Sequence, residues 1–166
     1  LTTLKASRFS KPRTIAKGRR WFVNWADFPS VVPLTSEHWA AHWLVRQNGD
    51  GFGYDAYFAQ SLDGGNTWLE PRRIHEDGTT AEHGFVSFFD ADGAVGAVWL
   101  DGREMARRRG GTQLRSVRID GEGNLIDKTV VDEVVCECCQ TDLSMAATGP
   151  IVAYRNRTST EVRDIY

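Results

Sequence analysis

The sequence predicts an all-β protein, in the form of a β-propeller of four-stranded antiparallel blades, of which the chain holds an incomplete fragment. Three observations lead to this prediction. Trp and Phe are frequent, with 6 and 8 copies, and 16 glycines punctuate the chain, a composition typical of strands joined by tight turns. Long helical patterns are hard to find. Similar stretches also recur at an interval of 57 residues, and a fixed period of this size is the mark of a repeat architecture.

The repeat involves serines, Asp-Gly pairs and aromatic residues that recur in one register. The matching positions are Ser30, Ser87 and Ser144; Asp63-Gly64 and Asp120-Gly121; Ile74 and Val131; Trp43, Trp99 and Tyr154; and the stretches 9–15 and 68–74. Five such coincidences in one register are hard to ascribe to chance. A β-sandwich with accidental spacing is the alternative.

Each unit is predicted to contain four short strands separated by Gly- or Asp-bearing turns. In the first unit the strands are 28–34, 39–45, 55–61 and 68–74, and in the second they are 85–90, 94–100, 112–119 and 125–131. The third unit begins with 142–147, 151–155 and 162–166. A four-stranded unit repeated every 40–60 residues or so is the signature of a propeller.

The repeat divides the chain into one partial domain with four parts. They are residues 1–20 as the end of a preceding blade, 21–78 and 79–135 as two blades, and 136–166 as the start of a third. A six-bladed ring at this repeat needs roughly 340 residues. Because the chain starts without Met and ends in a strand-like stretch, we expect a fragment whose partners include the remaining blades of a longer chain.

Composition and charge exclude several classes of function. The formal net charge is -2, from 20 basic and 22 acidic side chains, so no nucleic-acid partner is expected. Apolar runs are only a few residues long, which excludes a membrane span. No signal peptide can be read, so localisation is left open by the sequence.

The most informative motif is S-x-D-x-G-x-T-W, formed by Ser61, Asp63, Gly65, Thr67 and Trp68. Asp63 can accept hydrogen bonds from the backbone of its own turn, and the glycines supply the positive φ of a tight hairpin. The hydroxyl groups can bridge the two strands, and Trp68 can pack beneath the turn. The stretch 120–123 stands where a second copy would fall, but it lacks the Ser, Thr and Trp.

This motif resembles the Asp-box, or BNR repeat, of the sialidase superfamily. Further stretches are similar to bacterial sialidase-like proteins of the exo-α-sialidase type, and the likeness covers most of the chain: 22–30, 82–87, 99–103, 138–141 and 154–157. The resemblance implies a six-bladed propeller and a glycoside hydrolase that removes terminal acidic sugars from glycans. Asp-boxes also occur in propellers with other functions, so the motif is better evidence for fold than for activity. A non-catalytic propeller that binds glycan or protein partners is the alternative.

The loops that enter the first strand and leave the second strand of each blade are the expected site. Carboxyl groups there are candidates for acid and base catalysis, with Glu82 beside His83 as the first pair and Asp27 and Asp101 as further candidates. Sialidases bind the substrate carboxylate through arginines, whose planar fork matches a carboxylate. The expected substrate-binding residues are Arg103, Arg155, Arg157, Trp25 and Asp142. The family's nucleophilic Tyr–Glu pair and its Arg-Ile-Pro signature are not found in the sequence.

Three cysteines, Cys136, Cys138 and Cys139, fall within four residues. The spacing does not match a zinc ribbon. One interpretation is a disulfide to a part of the protein outside this chain, consistent with a secreted or periplasmic protein. A thiolate metal or redox site and plain packing of buried thiols are the alternatives. The leading prediction is an enzyme that requires neither a cofactor nor a metal ion.

Overall fold

A computed structural model describes residues 1–5, 7–48 and 51–166. A small hairpin, β1 (Leu4–Lys5) and β2 (Arg8–Phe9), comes first. Sheet one contains β3 (Ser30–Pro33), β4 (Trp39–Arg46), β5 (Tyr54–Ser61) and β6 (Arg72–Arg73). Sheet two contains β7 (His83–Ala91), β8 (Ala94–Asp101), β9 (Thr112–Ile119) and β10 (Leu125–Val135). A third pair is formed by β11 (Asp142–Ala146) and β12 (Gly149–Ala153), and the helix α1 spans Arg103–Ala106.

Both large sheets are antiparallel, and their strands pair in the order in which they occur along the chain. The prediction of an all-β protein built from four-stranded antiparallel sheets is therefore confirmed. Within the described residues, the sheets do not close into a ring. No helix in these ranges is long and apolar enough to cross a membrane.

Several elements differ from the predicted ones. The fourth strand of sheet one shrinks to Arg72–Arg73, since Pro71 before it lacks the N–H group that a ladder needs. The stretch 162–166 forms no named strand, although Tyr154 and Tyr166 exchange two backbone hydrogen bonds of 3.1 and 3.0 Å. The helix α1 was not predicted; Ala106 N–H donates to the Gly102 carbonyl over 2.9 Å to close its turn.

The main core lies between the two large sheets. Leu44, Tyr54 and Phe58 of sheet one pack against Phe88 and Trp99 of sheet two, and burial of each large apolar side chain stabilises the fold by about 1.5–3 kcal/mol. A second core, with Phe85, Leu100 and Leu114 on sheet two and Leu143 and Val152 on the third pair, covers the opposite face. Sheet two is therefore packed on both faces.

One edge of the sheets gathers the loops that matter for function, and we call it the upper edge. Strands β4, β8 and β10 end there, and β5, β7 and β9 begin there. Tyr54 N–H donates to the Ala81 carbonyl over 3.1 Å, which joins sheet one to the segment that enters sheet two.

The S-x-D-x-G-x-T-W motif, Ser61–Trp68, occupies the turn between β5 and β6, at the opposite, lower edge. Asp63 Oδ1 accepts from Thr67 N–H, Asn66 N–H and the Ser61 hydroxyl over 2.8, 3.0 and 2.8 Å. Asp63 Oδ2 accepts from Thr67 N–H and the Thr67 hydroxyl over 3.1 and 2.7 Å. Hydrogen bonds from Thr67 lower the pKa of Asp63 to about 2. The sequence predicts that the two hydroxyl groups bridge the strands. In the structure, the hydroxyl groups of Ser61 and Thr67 instead form hydrogen bonds with Asp63 and with the backbone of the turn.

The glycines and Trp68 complete this turn as the motif predicts. Gly64 and Gly65 have φ angles of 66° and 79°, which side chains with a Cβ rarely adopt, and Gly65 N–H donates to Ser61 Oγ over 2.8 Å. Trp68 packs against the small cluster that contains Trp43. The motif therefore fixes the lower edge and takes no part in the upper one.

The turn at Asp120 repeats this construction in sheet two. Asp120 Oδ1 accepts from Asn124 N–H over 2.8 Å, and Oδ2 accepts from the Asn124 side-chain amide over 2.9 Å. Asn124 stands 57 residues after Thr67, and its amide takes the part of the Thr hydroxyl. The second copy lacks the motif's Ser, Thr and Trp but keeps its aspartate. It also keeps the hydrogen bonds to this aspartate from the residue four positions later, Asn124.

Candidate functional site

Asp27 is a buried carboxyl group at the upper edge, with 1% of its surface exposed. Its Oδ2 accepts from Phe85 N–H over 2.9 Å, while Oδ1 has no hydrogen-bond partner. Burial raises the pKa of Asp27 to about 6, and the charge of Glu82 adds to the rise, although the hydrogen bonds from Phe85 and Tyr54 oppose it. A carboxyl group of this kind exchanges its proton near neutral pH.

Tyr54 is a partner of Asp27 that the sequence did not reveal. Its hydroxyl lies 3.5 Å from Asp27 Oδ2, and its ring stacks on Phe22 with centroids 4.2 Å apart. Burial, followed by the negative charges of Asp27 and Glu82, raises the pKa of Tyr54. The sequence put Tyr54 beside the first unit's third strand and gave it no catalytic role, because its approach to Asp27 depends on a contact between residues 27 positions apart. With 2% of its surface exposed, Tyr54 holds its proton and supports Asp27 from within the core.

Glu82 lies at a cavity of about 340 Å³ on the upper edge. Phe52, Met105 and Glu137 are among its other lining residues. Glu82 is an exposed residue overall, but its carboxyl group has enough protein around it for partial desolvation to raise its pKa, and the charge of Glu137 raises it further. The cavity thus brings together two carboxyl groups of which one holds its proton more strongly than usual.

Cavities of about 400 and 650 Å³ lie elsewhere, where residues 13–21 cross sheet one near Trp43. They are larger, but they do not contain Glu82 or any other of the predicted catalytic residues. The smaller cavity is therefore the better candidate for a reaction site.

His83, the predicted partner of Glu82, points into the protein instead. Its ring lies parallel to that of His75, with centroids 3.6 Å apart and an angle of 6° between the planes. His83 Nδ1 lies 3.3 Å from the Tyr54 carbonyl, and its Nε2 lies 3.3 Å from Asp77 Oδ1. With 0% of its surface exposed, His83 belongs to a buried network of imidazole, carboxylate and guanidinium groups.

The other members of this network are Asp55, Asp77, Asp101 and Arg103. His75 lies between two carboxylates, 2.7 Å from Asp77 and 3.2 Å from Asp55. Burial opposes the charge on His75, but the hydrogen bonds to Asp55 and Asp77 outweigh it and raise its pKa. Hydrogen bonds from the same histidines outweigh burial at Asp77 and lower its pKa.

Asp101 and Arg103 bind each other rather than a ligand. Arg103 donates from Nε and Nη2 to the two oxygens of Asp101 over 2.7 and 2.6 Å, and Trp99 Nε1 donates to Asp101 over 2.8 Å. Such a bidentate pair is among the strong charge-assisted contacts. Arg103 therefore acts in this structure as the partner of a fully buried aspartate, away from its predicted role as a substrate ligand.

Asp55, His75 and His83 place donor atoms within 4.8 Å of one another, a grouping that could suit a metal ion. The ring geometry argues against it. A nitrogen lone pair lies in the plane of its imidazole, and two planes that are parallel and 3.6 Å apart cannot both contain one ion. The group is better described as two stacked imidazoles whose edges face three carboxylates.

Three arginines of the third predicted unit lie close to Glu137 and the cysteines. Arg157 Nη1 and Arg163 Nη1 approach Glu137 Oε2 at 3.4 and 3.7 Å. Arg155 Nη1 lies 3.7 Å from Cys139 Sγ. Arg163 was not among the predicted residues, although it lies in the stretch expected to be the last strand. Arg157 and Arg163 therefore lie beside Glu137, which lines the cavity with Glu82, and Arg155 lies beside Cys139 on the same turn.

Trp25 and Asp142 are on the surface. Trp25 is 93% exposed, and the preceding Asn24 accepts from Ala26 N–H over 2.9 Å to shape its loop. Asp142 is exposed at the start of β11. Neither touches the cavity's lining.

The three cysteines form one group on the turn that follows β10. Their sulfur atoms all lie within 4.8 Å of one another, with Cys136 Sγ 2.7 Å from Cys139 Sγ and 3.7 Å from Cys138 Sγ. All three are free, and Cys136 is buried while Cys138 is exposed. Glu137 lies within this turn, so the group adjoins the cavity.

No family model, curated protein or solved structure matches the chain.

Proposed function

We propose that the chain is part of a sialidase-like glycoside hydrolase of the exo-α-sialidase type, which removes terminal acidic sugars from glycans. In this proposal the two four-stranded sheets and the third pair are consecutive blades of a β-propeller. Support comes from the Asp-box, from its partial copy 57 residues later, and from the packing of sheet two between its two neighbours.

The observation that carries the proposal is the pairing of Glu82 with Glu137 at one cavity. Glycoside cleavage needs an acid that protonates the departing oxygen, and such a carboxyl group has a raised pKa. Glu82 has the required direction of shift. We assign Glu82 as the general acid and Glu137 as the neighbouring carboxylate that helps it hold the proton.

The arginines supply the preference for an acidic sugar. Arg157 and Arg163 contact Glu137 at the cavity and are also paired with Glu161, and Arg155 lies beside Cys139 on the neighbouring turn. A sugar carboxylate that enters there can form bidentate bonds with a guanidinium group. This assignment retains two of the predicted arginines and replaces Arg103 by Arg163.

Hydrolysis of a fluorogenic sialoside by the whole protein of which the proposal makes this chain a part tests the proposal. Glu82→Gln keeps the shape of the side chain and removes the acid, so we expect the rate to fall by about 100-fold or more. Glu37→Gln, an exposed glutamate at the lower edge, is the matched control and should leave the rate unchanged. Absence of turnover, or equal rates for both variants, would contradict the proposal; glycan binding without turnover would favour the non-catalytic alternative.

A further inference from the structure

We propose that Cys136, Cys138 and Cys139 form a three-coordinate thiolate site for a soft cation, with Cu⁺ as the best-fitting ion. This site is independent of the glycosidase chemistry proposed above. The first argument is convergence: one turn brings three sulfur atoms to within 4.8 Å of one another. A disulfide would join two of these sulfur atoms and leave the third without a bonding partner.

The distances suit an ion after a small movement. Three sulfurs that bind one ion at about 2.3 Å lie roughly 3.7–4.0 Å apart. The separation of Cys136 and Cys138, 3.7 Å, already has this value. Cys136 and Cys139, at 2.7 Å, must move apart by about 1 Å on that basis. Cys138 is exposed, so an ion can reach the site from solvent.

Two guanidinium groups lie beside the sulfurs. Arg163 Nη1 lies 3.6 Å from Cys136 Sγ, and Arg155 Nη1 lies 3.7 Å from Cys139 Sγ. A disulfide is uncharged and has no need of two guanidinium groups. Three thiolates with one Cu⁺ carry a net charge of about -2, part of which Arg155 and Arg163 offset, since Arg163 also pairs with Glu137 and Glu161. Binding releases the protons of the three thiols to solvent.

The number of donors selects the ion. Among the described residues, no His, Asp or Glu joins the three sulfurs in a group of this size, and Glu137 is engaged by Arg157 and Arg163. Zn²⁺ in structural sites takes four ligands, whereas soft sulfur donors alone suit Cu⁺. The site therefore discriminates by sulfur count as well as by softness.

Titration of the full reduced chain with Cu⁺ under anaerobic conditions, in competition with a chromophoric Cu⁺ chelator, tests the site. We expect one ion per chain and protection of all three thiols from iodoacetamide. Cys138→Ser, a change at an exposed position, should weaken binding by 100-fold or more, and its circular dichroism spectrum should match that of the parent. Ser144→Ala, at a position outside the turn, is the control and should bind as the parent does.

Three results would overturn the proposal. The first is a reduced chain that binds no Cu⁺ and whose Cys136 and Cys139 form a disulfide with oxidised glutathione, with a loss of two hydrogen atoms by mass. The second is equal affinity of Cys138→Ser and the parent. The third is binding of Zn²⁺ in preference to Cu⁺, which would require a fourth ligand and contradict the three-coordinate assignment.

Discussion

The imidazole rings of His75 and His83 are stacked face to face, 3.6 Å apart, in the interior between sheets one and two. Each ring faces carboxylates at its edge: Asp55 and Asp77 around His75, and Asp77 and Asp101 around His83. The stacked rings, with Asp77 beside both of them, therefore join the loop after β6 to the start of β7. At this point the chain passes from one sheet to the next.

The first prediction concerns the pH dependence of this stack. Because the folded state raises the pKa of His75, its contribution to stability is complete below the unfolded pKa of about 6.5 and is lost as the pH rises through the folded value. His75→Gln should therefore destabilise the protein more at pH 5.5 than at pH 9.5, by roughly 3 kcal/mol at the lower pH. Urea unfolding at both pH values measures this.

His42→Gln is a control with the opposite sign. Burial lowers the pKa of His42 to about 4, so the unfolded state binds its proton first and the wild-type protein loses stability as the pH falls below about 6.5. Removing His42 removes that loss, and the variant should compare more favourably with the wild type at pH 5.5 than at pH 9.5. The same trend in both variants would contradict the assignment of charge to His75.

A second prediction follows from the raised pKa of Asp27. Its folded value of about 6 exceeds the ordinary value of 3.8, so the wild-type protein loses stability as the pH rises from about 4 to above 6. Asp27→Asn should remove this loss and increase the free energy of unfolding at pH 8, relative to pH 4, by about 1–3 kcal/mol. Chemical unfolding at the two pH values provides the measurement, and an unchanged pH slope in the variant would refute the shift.

A third prediction concerns Gly84, which leaves room for Asp27. A Cβ at Gly84 would lie 1.9 Å from Asp27 Oδ2 and 2.8 Å from Tyr54 Cε2, so Gly84→Ala must displace a buried carboxyl group and a packed ring. We expect a loss of about 3 kcal/mol or more. Gly121→Ala, where nothing lies within 4 Å of the added atom, should stay within about 0.5 kcal/mol of the parent. Thermal and urea unfolding of the two variants decide the matter.

A fourth prediction compares the turn that contains Asp63 with the turn that contains Asp120. Asp63 accepts five hydrogen bonds within its turn, whereas Asp120 accepts three. Asp63→Ala should therefore lower Tm by several degrees, and Asp120→Ala should lower it by less. Thermal unfolding at pH 7 tests the order of the two effects, and a larger effect at Asp120 would show that hydrogen-bond number does not set the worth of these turns.

The sequence predicts the sheets better than it predicts the site. Strands such as 112–119 are recognisable because apolar alternation and flanking turns are local properties, and that strand has the predicted bounds. The roles of His83, Asp101 and Arg103 depend on side-chain contacts that the local sequence does not reveal: His83 faces His75 and Asp77, and Asp101 accepts from Trp99 and Arg103. A loop sequence of polar residues looks the same whether its side chains face a ligand or one another. The signal that could have helped is the stretch His75-Glu76-Asp77, interpreted from sequence only as a turn.

The coverage of sheet two on both faces has a consequence for how the chain opens. Every residue of β8 is buried, and β8 pairs with β7 on one side and with β9 on the other. Amide hydrogens of β8 should thus be the last to exchange with deuterated solvent, whereas those of β12 should exchange early. The slowest exchange rates would then report the global unfolding equilibrium. Hydrogen exchange in this one strand would therefore measure the free energy of unfolding of the whole protein.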